Sequence, residues 1–143
     1  MKFKFCGKPL ENGDYAYGHY YVESAPLTIG EKHPDKHFIV FAGFADWNMP
    51  RMFQVEVDPL TVGQFIGTID KNKLEIYSKD IVKITYHDGG CEIGFIDYDD
   101  DTRRFVFVDP QGARYGLLGF TDIEKLGTLK DNSDLLAVVN NAI

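Results

Sequence analysis

The chain has 143 residues and a formal net charge of −7, from 15 basic and 22 acidic side chains. Its 44% apolar content excludes disorder, because such a chain buries enough surface to offset its ordering entropy. The acidic balance disfavours nucleic acid and anionic membrane as general partners, since polyanions reward positive charge.

In chain order, alternation comes first. Asp14 to Glu23 is rich in Tyr and Val and reads as a strand. The Asn12-Gly13 turn signal before it predicts a hairpin pairing 2–6 with 15–22. Residues 24–36, with Pro26, Gly30 and Pro34, read as a loop, and 37–42 as another strand. A turn at 46–50 leads to a period-two strand at 52–57. Asp58-Pro59 then signals a short helical turn, with Asp58 as cap and Pro59 at the first helical position.

Runs at 80–86, 91–98 and 103–109, separated by turn chemistry, predict a three-stranded meander. Leu117–Phe120 and Ile123–Leu129 supply one or two further strands. Cap residues Asn132-Ser133-Asp134 before an apolar stretch predict a short C-terminal helix over 132–139. The expected fold is mainly β: a small twisted antiparallel sheet or partly closed SH3-like barrel with a short C-terminal helix. One domain is expected over 1–143, with a possible barrel subregion at 76–130.

Familiar catalytic patterns are absent. There is no nucleophile elbow, phosphate-binding loop or Cys-x-x-Cys pair. The acidic run Asp97 to Asp101 lacks the glycine and terminal Glu of a calcium loop and reads as a solvated turn. His33/His37 and His87/Cys91 are each four apart, but Pro34 and Gly89-Gly90 deny them the helix that would align two zinc ligands. Cys6 and Cys91 read as reduced, buried small hydrophobes. No catalytic residue, metal or cofactor is expected.

One segment stands apart. Phe44 to Phe53 gathers the single Trp, two Met, two Phe and an Arg around a turn. The first expectation is that Trp47 caps the core of a small β domain. The functional alternative makes Phe44, Trp47, Met49, Arg51 and Met52 an interface, since Trp, Met and Arg are enriched at interface centres.

Residues 57–82 carry a more specific pattern: Gly63-Gln64-Phe65-Ile66-Gly67, then Asp70-Lys71-Asn72-Lys73, then Glu75-Ile76-Tyr77-Ser78-Lys79-Asp80-Ile81-Val82. This closely resembles the YopX family of phage and prophage proteins. Lys2–Phe5, Tyr15–Gly18 and the closing segment Ile123–Leu136, with Gly127 and Asn132 in matching places, resemble it too. Lys73 stands where the family usually has glycine, and Ser78-Lys79 replaces Glu-Gly; lysine is strained there if the turns need positive φ. The pattern reads as structural: Gly63 and Gly67 permit close approach or a bulge, Tyr77 and Ile81 anchor a turn, and Asp80 caps N–H groups. The alternative makes Gln64, Tyr77 and Asp80 a polar site.

The resemblance implies a mostly β fold and a mobile-element origin, with no reaction to carry over. The expected function is therefore that of a non-enzymatic phage accessory protein, acting as a homo-oligomer or on a host protein. Charge divides as −2 over residues 1–72 (7 basic, 9 acidic) and −5 over 73–143 (8 basic, 13 acidic). That acidic second half suits a basic host surface. Alternatives are a nucleic-acid-binding barrel using Arg103, Arg104 and Arg114, and a small-ligand binder or hydrolase with a pocket between subunits. With no apolar leader and no membrane-length run, a cytoplasmic location is expected.

Overall fold

The computed structural model describes residues 3–11, 13–24, 34–45, 47 and 49–136. The chain divides into two compact units, Lys2–Gln64 and Phe65–Ile143. The architecture is two antiparallel sheets with only short helices, and neither closes into a barrel.

In the first unit, β1 (Phe5–Gly7), β2 (Ala16–Glu23), β3 (Lys36–Ala45) and β4 (Met49–Glu56) pair in the order β4-β3-β2-β1. The first residues of β5 (Gly63–Ile69) pair with β1, Gln64 opposite Phe5 and Gly63 opposite Cys6. The predicted first hairpin forms over a shorter stretch, with Phe5 opposite Gly18, Cys6 opposite Tyr17 and Gly7 opposite Ala16. Cys6, Phe38, Ile39 and Val57 are buried. The turn at Pro59–Thr61 is 3₁₀: the Asp58 carboxylate accepts the Leu60 N–H at 3.0 Å, and Thr61 Oγ1 accepts the Lys8 N–H at 2.8 Å. The cap thus works as Asp58-Pro59 dictates. Most of the loop expected at 24–36, together with Asn12, lies outside the described residues.

In the second unit, the rest of β5 pairs with β6 (Glu75–Tyr77). A five-stranded sheet follows, built from β7 (Asp80–Tyr86), β8 (Cys91–Asp99), β9 (Arg104–Val108), β10 (Arg114–Gly116) and β11 (Phe120–Thr128). Its order is β10-β9-β8-β7-β11, so the expected meander is its centre. β7 carries buried Ile81, Val82 and Ile84 on both its faces. Ile76, Val82, Ile84, Ile96 and Phe107 form the core, with Phe120 edge-on to Phe107 at 5.6 Å.

The expected mainly β, twisted antiparallel architecture is what forms, with β10 and β11 at the borders of this five-stranded sheet. Two expectations need correction. Leu117–Gly119 is a 3₁₀ turn, while the strand lies just before it at Arg114–Gly116. The C-terminal helix starts earlier than Asn132: α1 spans Leu129–Asn132 with Thr128 as its cap. Thr128 Oγ1 accepts the Asp131 N–H at 3.2 Å, and Asn132 Oδ1 reaches back to the Thr128 N–H at 3.1 Å. Asn132 therefore caps from inside the turn instead of opening a helix. Residues 134–136 are again helical, and 137–139 of the expected helix lie outside the described residues. Gly127 makes the cap possible, because a Cβ there would stand 2.3 Å from Asn132 Oδ1.

Candidate interaction surface

The segment singled out by its aromatic, Met and Arg content folds as the β3–β4 hairpin, with β4 at the sheet edge. Directly opposed residues share a face, and faces alternate along each strand. Ala42/Met52 and Phe44/Pro50 are therefore on one face, and Phe41/Phe53 and Gly43/Arg51 on the other. The second face is finished by its own side chains. Phe41 and Phe53 stack at 5.7 Å, the Arg51 guanidinium lies over the Phe53 ring at 5.4 Å, and Gly43 leaves the space that ring occupies. The first face is bare: Ala42, Phe44, Pro50 and Met52 are all exposed and all apolar.

Trp47 in the turn is 94% exposed, so it does not cap a core. Its φ of 71° is in the left-handed region, which a bulky residue adopts only at a cost in strain. Phe44 is 73% exposed, Met49 63% and Met52 59%; Arg51 is exposed as well. Asp46 and Asn48 of the same turn lie outside the described residues.

The motif residues divide between the units. Gly63 and half-buried Gln64 sit opposite β1 in the first unit. In the second, Phe65 pairs with Tyr77, their rings 5.7 Å apart, and Gly67 takes a positive φ of 91° where the pairing of β5 with β6 is irregular. Tyr77 and Asp80 are buried, and the Asp80 carboxylate accepts the Tyr77 N–H at 2.8 Å. Lys73 (φ 66°) and Lys79 (φ 73°) both adopt the left-handed backbone that glycine tolerates best.

One partner of this motif escaped the sequence reading. Lys125 Nζ lies 3.1 Å from Asp80 Oδ2 and over the Tyr77 ring, 5.6 Å from its centre. Burial pushes the Asp80 carboxyl up to about 6, against the pull of Lys125 and the Tyr77 N–H. Asp70, also buried, accepts the Asn72 and Leu74 N–H groups on Oδ1 and the Lys125 N–H on Oδ2. Burial opposes its ionisation, but those three donors and the Lys125 charge together hold its carboxyl below the ordinary value. A second clasp joins the Lys71 N–H to the Ile123 carbonyl at 3.1 Å. These hydrogen bonds, the Asp80–Lys125 ion pair and the ring contact lock the motif onto β11. Asp70 was legible as part of the motif, whereas Lys125 is 55 residues away and carried no signal.

The remaining candidates scatter. Cys6 is buried, but Cys91 is exposed, contrary to expectation: it opens β8 beside the exposed turn at 87–90. Neither cysteine forms a disulfide. His33 lies outside the described residues, and His37 bonds Tyr20 through its Nδ1. Among the described residues no group of three or more His, Cys, Asp or Glu is placed to hold a metal. Arg114, from the suggested basic patch, pairs with Asp97 at 3.0 Å and Asp99 at 3.9 Å. A cleft of about 350 Å³ opens in the second unit, between Ile66, Ile69, Leu117 and Phe120, with Thr68 and Asp122 among its polar groups. No helix among the described residues is long and apolar enough to cross a membrane.

No curated protein matches the chain. A family model described as YopX protein matches residues 21–137, a span that holds the hairpin, the Asp70–Asp80 lock and the Gly127–Asn132 cap. With that match over most of its length, the chain belongs to the YopX protein family.

Proposed function

We propose that this is a phage-type accessory protein that acts in the cytoplasm by binding another protein rather than by catalysis, with the β3–β4 hairpin as its contact. The observation that carries the reading is Trp47, 94% exposed on a positive-φ backbone at the end of a bare apolar face. Tryptophan is a preferred interface anchor, and strain in such a residue persists where the exposed position serves a purpose. Membership of the YopX family agrees with a phage-type role.

The test is a photo-crosslinking amino acid at position 47 in the producing cell, with Leu10, another exposed apolar residue, as control. A discrete adduct formed from position 47 and not from position 10 is the expected result. Equal, diffuse labelling from both sites would rule the hairpin out as a contact.

A second reading, a small-ligand binder, draws on the cleft between Ile66 and Phe120, whose volume is at the lower end of ligand pockets. Thermal-shift screening of small apolar and aromatic compounds tests it. Stabilisation abolished by Phe120→Ala or Ile69→Lys supports this reading, and a response unchanged by either removes it. The nucleic-acid reading has less support, because Arg114 is already committed to two carboxylates.

A further inference from the structure

The proposed protein contact leaves open which protein covers the hairpin, and the composition of its two faces bears on that choice. At the hairpin's free end, the Phe41–Phe53–Arg51 stack completes one face without help. The opposite face presents Ala42, Phe44, Pro50 and Met52 with no charge and no hydrogen-bonding side chain among them. Interfaces of that character are typical of homodimers, which are more apolar than transient contacts between different proteins.

Resting on the reading of the hairpin as a protein contact, we infer that its occupant is a second copy of this chain. The two hairpins pack face to face across a two-fold axis through the Ala42–Phe44–Pro50–Met52 quartet. Phe44 and Met52 stand at diagonal corners of the quartet, so a two-fold rotation lays each on the other's counterpart. An aromatic ring against a thioether is a favourable contact.

Three further observations agree. Phe44, Trp47, Pro50 and Met52 together expose on the order of 500 Å² of side-chain surface, by the usual size of such residues. That approaches the roughly 800 Å² per partner of a standard interface and suits a reversible dimer better than a permanent one. Each chain carries a net charge of −7, and an uncharged quartet is a surface on which two copies meet without setting carboxylate against carboxylate. Growth of the sheet along the free edge of β4 is disfavoured, because Pro50 has no N–H to donate there. The face is left as the route of association.

Sedimentation velocity over the micromolar range tests the inference, using the whole chain, Phe44→Glu, Met52→Glu and, away from the hairpin, Leu118→Glu. The three positions are exposed, so thermal melts should match the wild type and certify the fold. The wild type should shift from monomer to dimer with concentration. Phe44→Glu and Met52→Glu should each weaken self-association by roughly tenfold or more, with Leu118→Glu dimerising like the wild type. A wild type that stays monomeric throughout, or a dimer indifferent to both quartet variants, overturns the inference. A monomer whose position 47 still crosslinks to a different protein rejects the second copy alone, whereas a monomer with no discrete adduct rejects the protein-contact reading too.

Discussion

Lys73 and Lys79 occupy backbone conformations at φ 66° and 73° that ordinarily belong to glycine. A β-carbon in the left-handed region costs about 1 kcal/mol. Lys73→Gly should therefore raise the unfolding free energy by roughly 0.5–1 kcal/mol, read as a higher midpoint in urea. Lys79→Gly should act in the same direction, because its hydrogen bonds to Ile96 and Leu129 are made by the backbone and survive the change. An unchanged or lower midpoint for Lys73→Gly would mean that its side chain offsets the strain. The family resemblance made these two positions legible: lysine in place of a turn glycine marks strain only where φ is positive, as it is at both.

The two locked carboxylates act in opposite directions with pH. Asp80, pushed up to about 6 from an ordinary 3.8, binds more protons folded than unfolded between those values. Its contribution to stability is complete below the lower value and is lost as pH rises through the upper one. Asp80→Asn should therefore remove a decline in stability between about pH 4 and 6, visible as a flatter curve of melting temperature against pH. Asp70 is held below its ordinary value, so its contribution is present above that value and is lost as pH falls through the lowered one. Asp70→Asn sets an amide against backbone N–H groups and should cost about 1–3 kcal/mol near neutral pH, measured by the same melts.

At the scale of elements, the hairpin turn and the helix cap respond differently to substitution. Trp47 adds no burial and holds a strained φ, so Trp47→Gly should melt at or slightly above the wild-type temperature while weakening any contact made at the turn. A large fall in melting temperature would place the indole in the core after all. At the other end, Gly127→Ala puts a Cβ 2.3 Å from Asn132 Oδ1 and should dislodge that side chain from the Thr128 N–H. The expected loss is about 1 kcal/mol, typical of a lost cap, read by chemical denaturation.

Elements long enough to show a period were readable. The strands at 15–22, 52–57 and 80–86 emerge because apolar and β-branched residues recur over six or more positions. Arg114–Gly116 did not, since three residues carry no period, and Leu117-Leu118 drew the expectation of a strand onto a 3₁₀ turn. Exposure was harder still to read. The residues that mark an interface also build cores, and only the pairing register places Phe44 and Met52 on a bare face and Phe53 beneath Arg51.

For the whole molecule, apolar burial is concentrated in the centre of the second unit. Ile81, Val82, Ile84, Ile96 and Phe107 are fully buried on neighbouring strands, while both faces of the hairpin are exposed at its free end. Native-state hydrogen exchange should therefore be slowest at β7–β9 and orders of magnitude faster at 43–45 and 49–52, because exchange follows local opening. Comparable protection in the two places would show that the hairpin is already covered in solution, and dilution would then expose it. Distant pairings such as Lys125 with Asp80 belong to this scale as well. They are set by the path of the sheet and leave no trace in local sequence.

The clasp of Asp70 and Lys71 on β11 also bears on solubility. A sheet edge with free N–H and carbonyl groups is a template for further strands and hence for aggregation. Along β11, the Ile123 carbonyl and the Lys125 N–H are already taken by the Lys71 N–H and the Asp70 carboxylate. At the opposite edge β10 is only three residues long and carries a charged Arg114. Both borders of this sheet are thus poor templates, which protects a strand-rich chain from stacking into fibres. Loosening the clasp through Asp70 would cost more than local stability, because it would bare a nine-residue strand to every other copy in the cell.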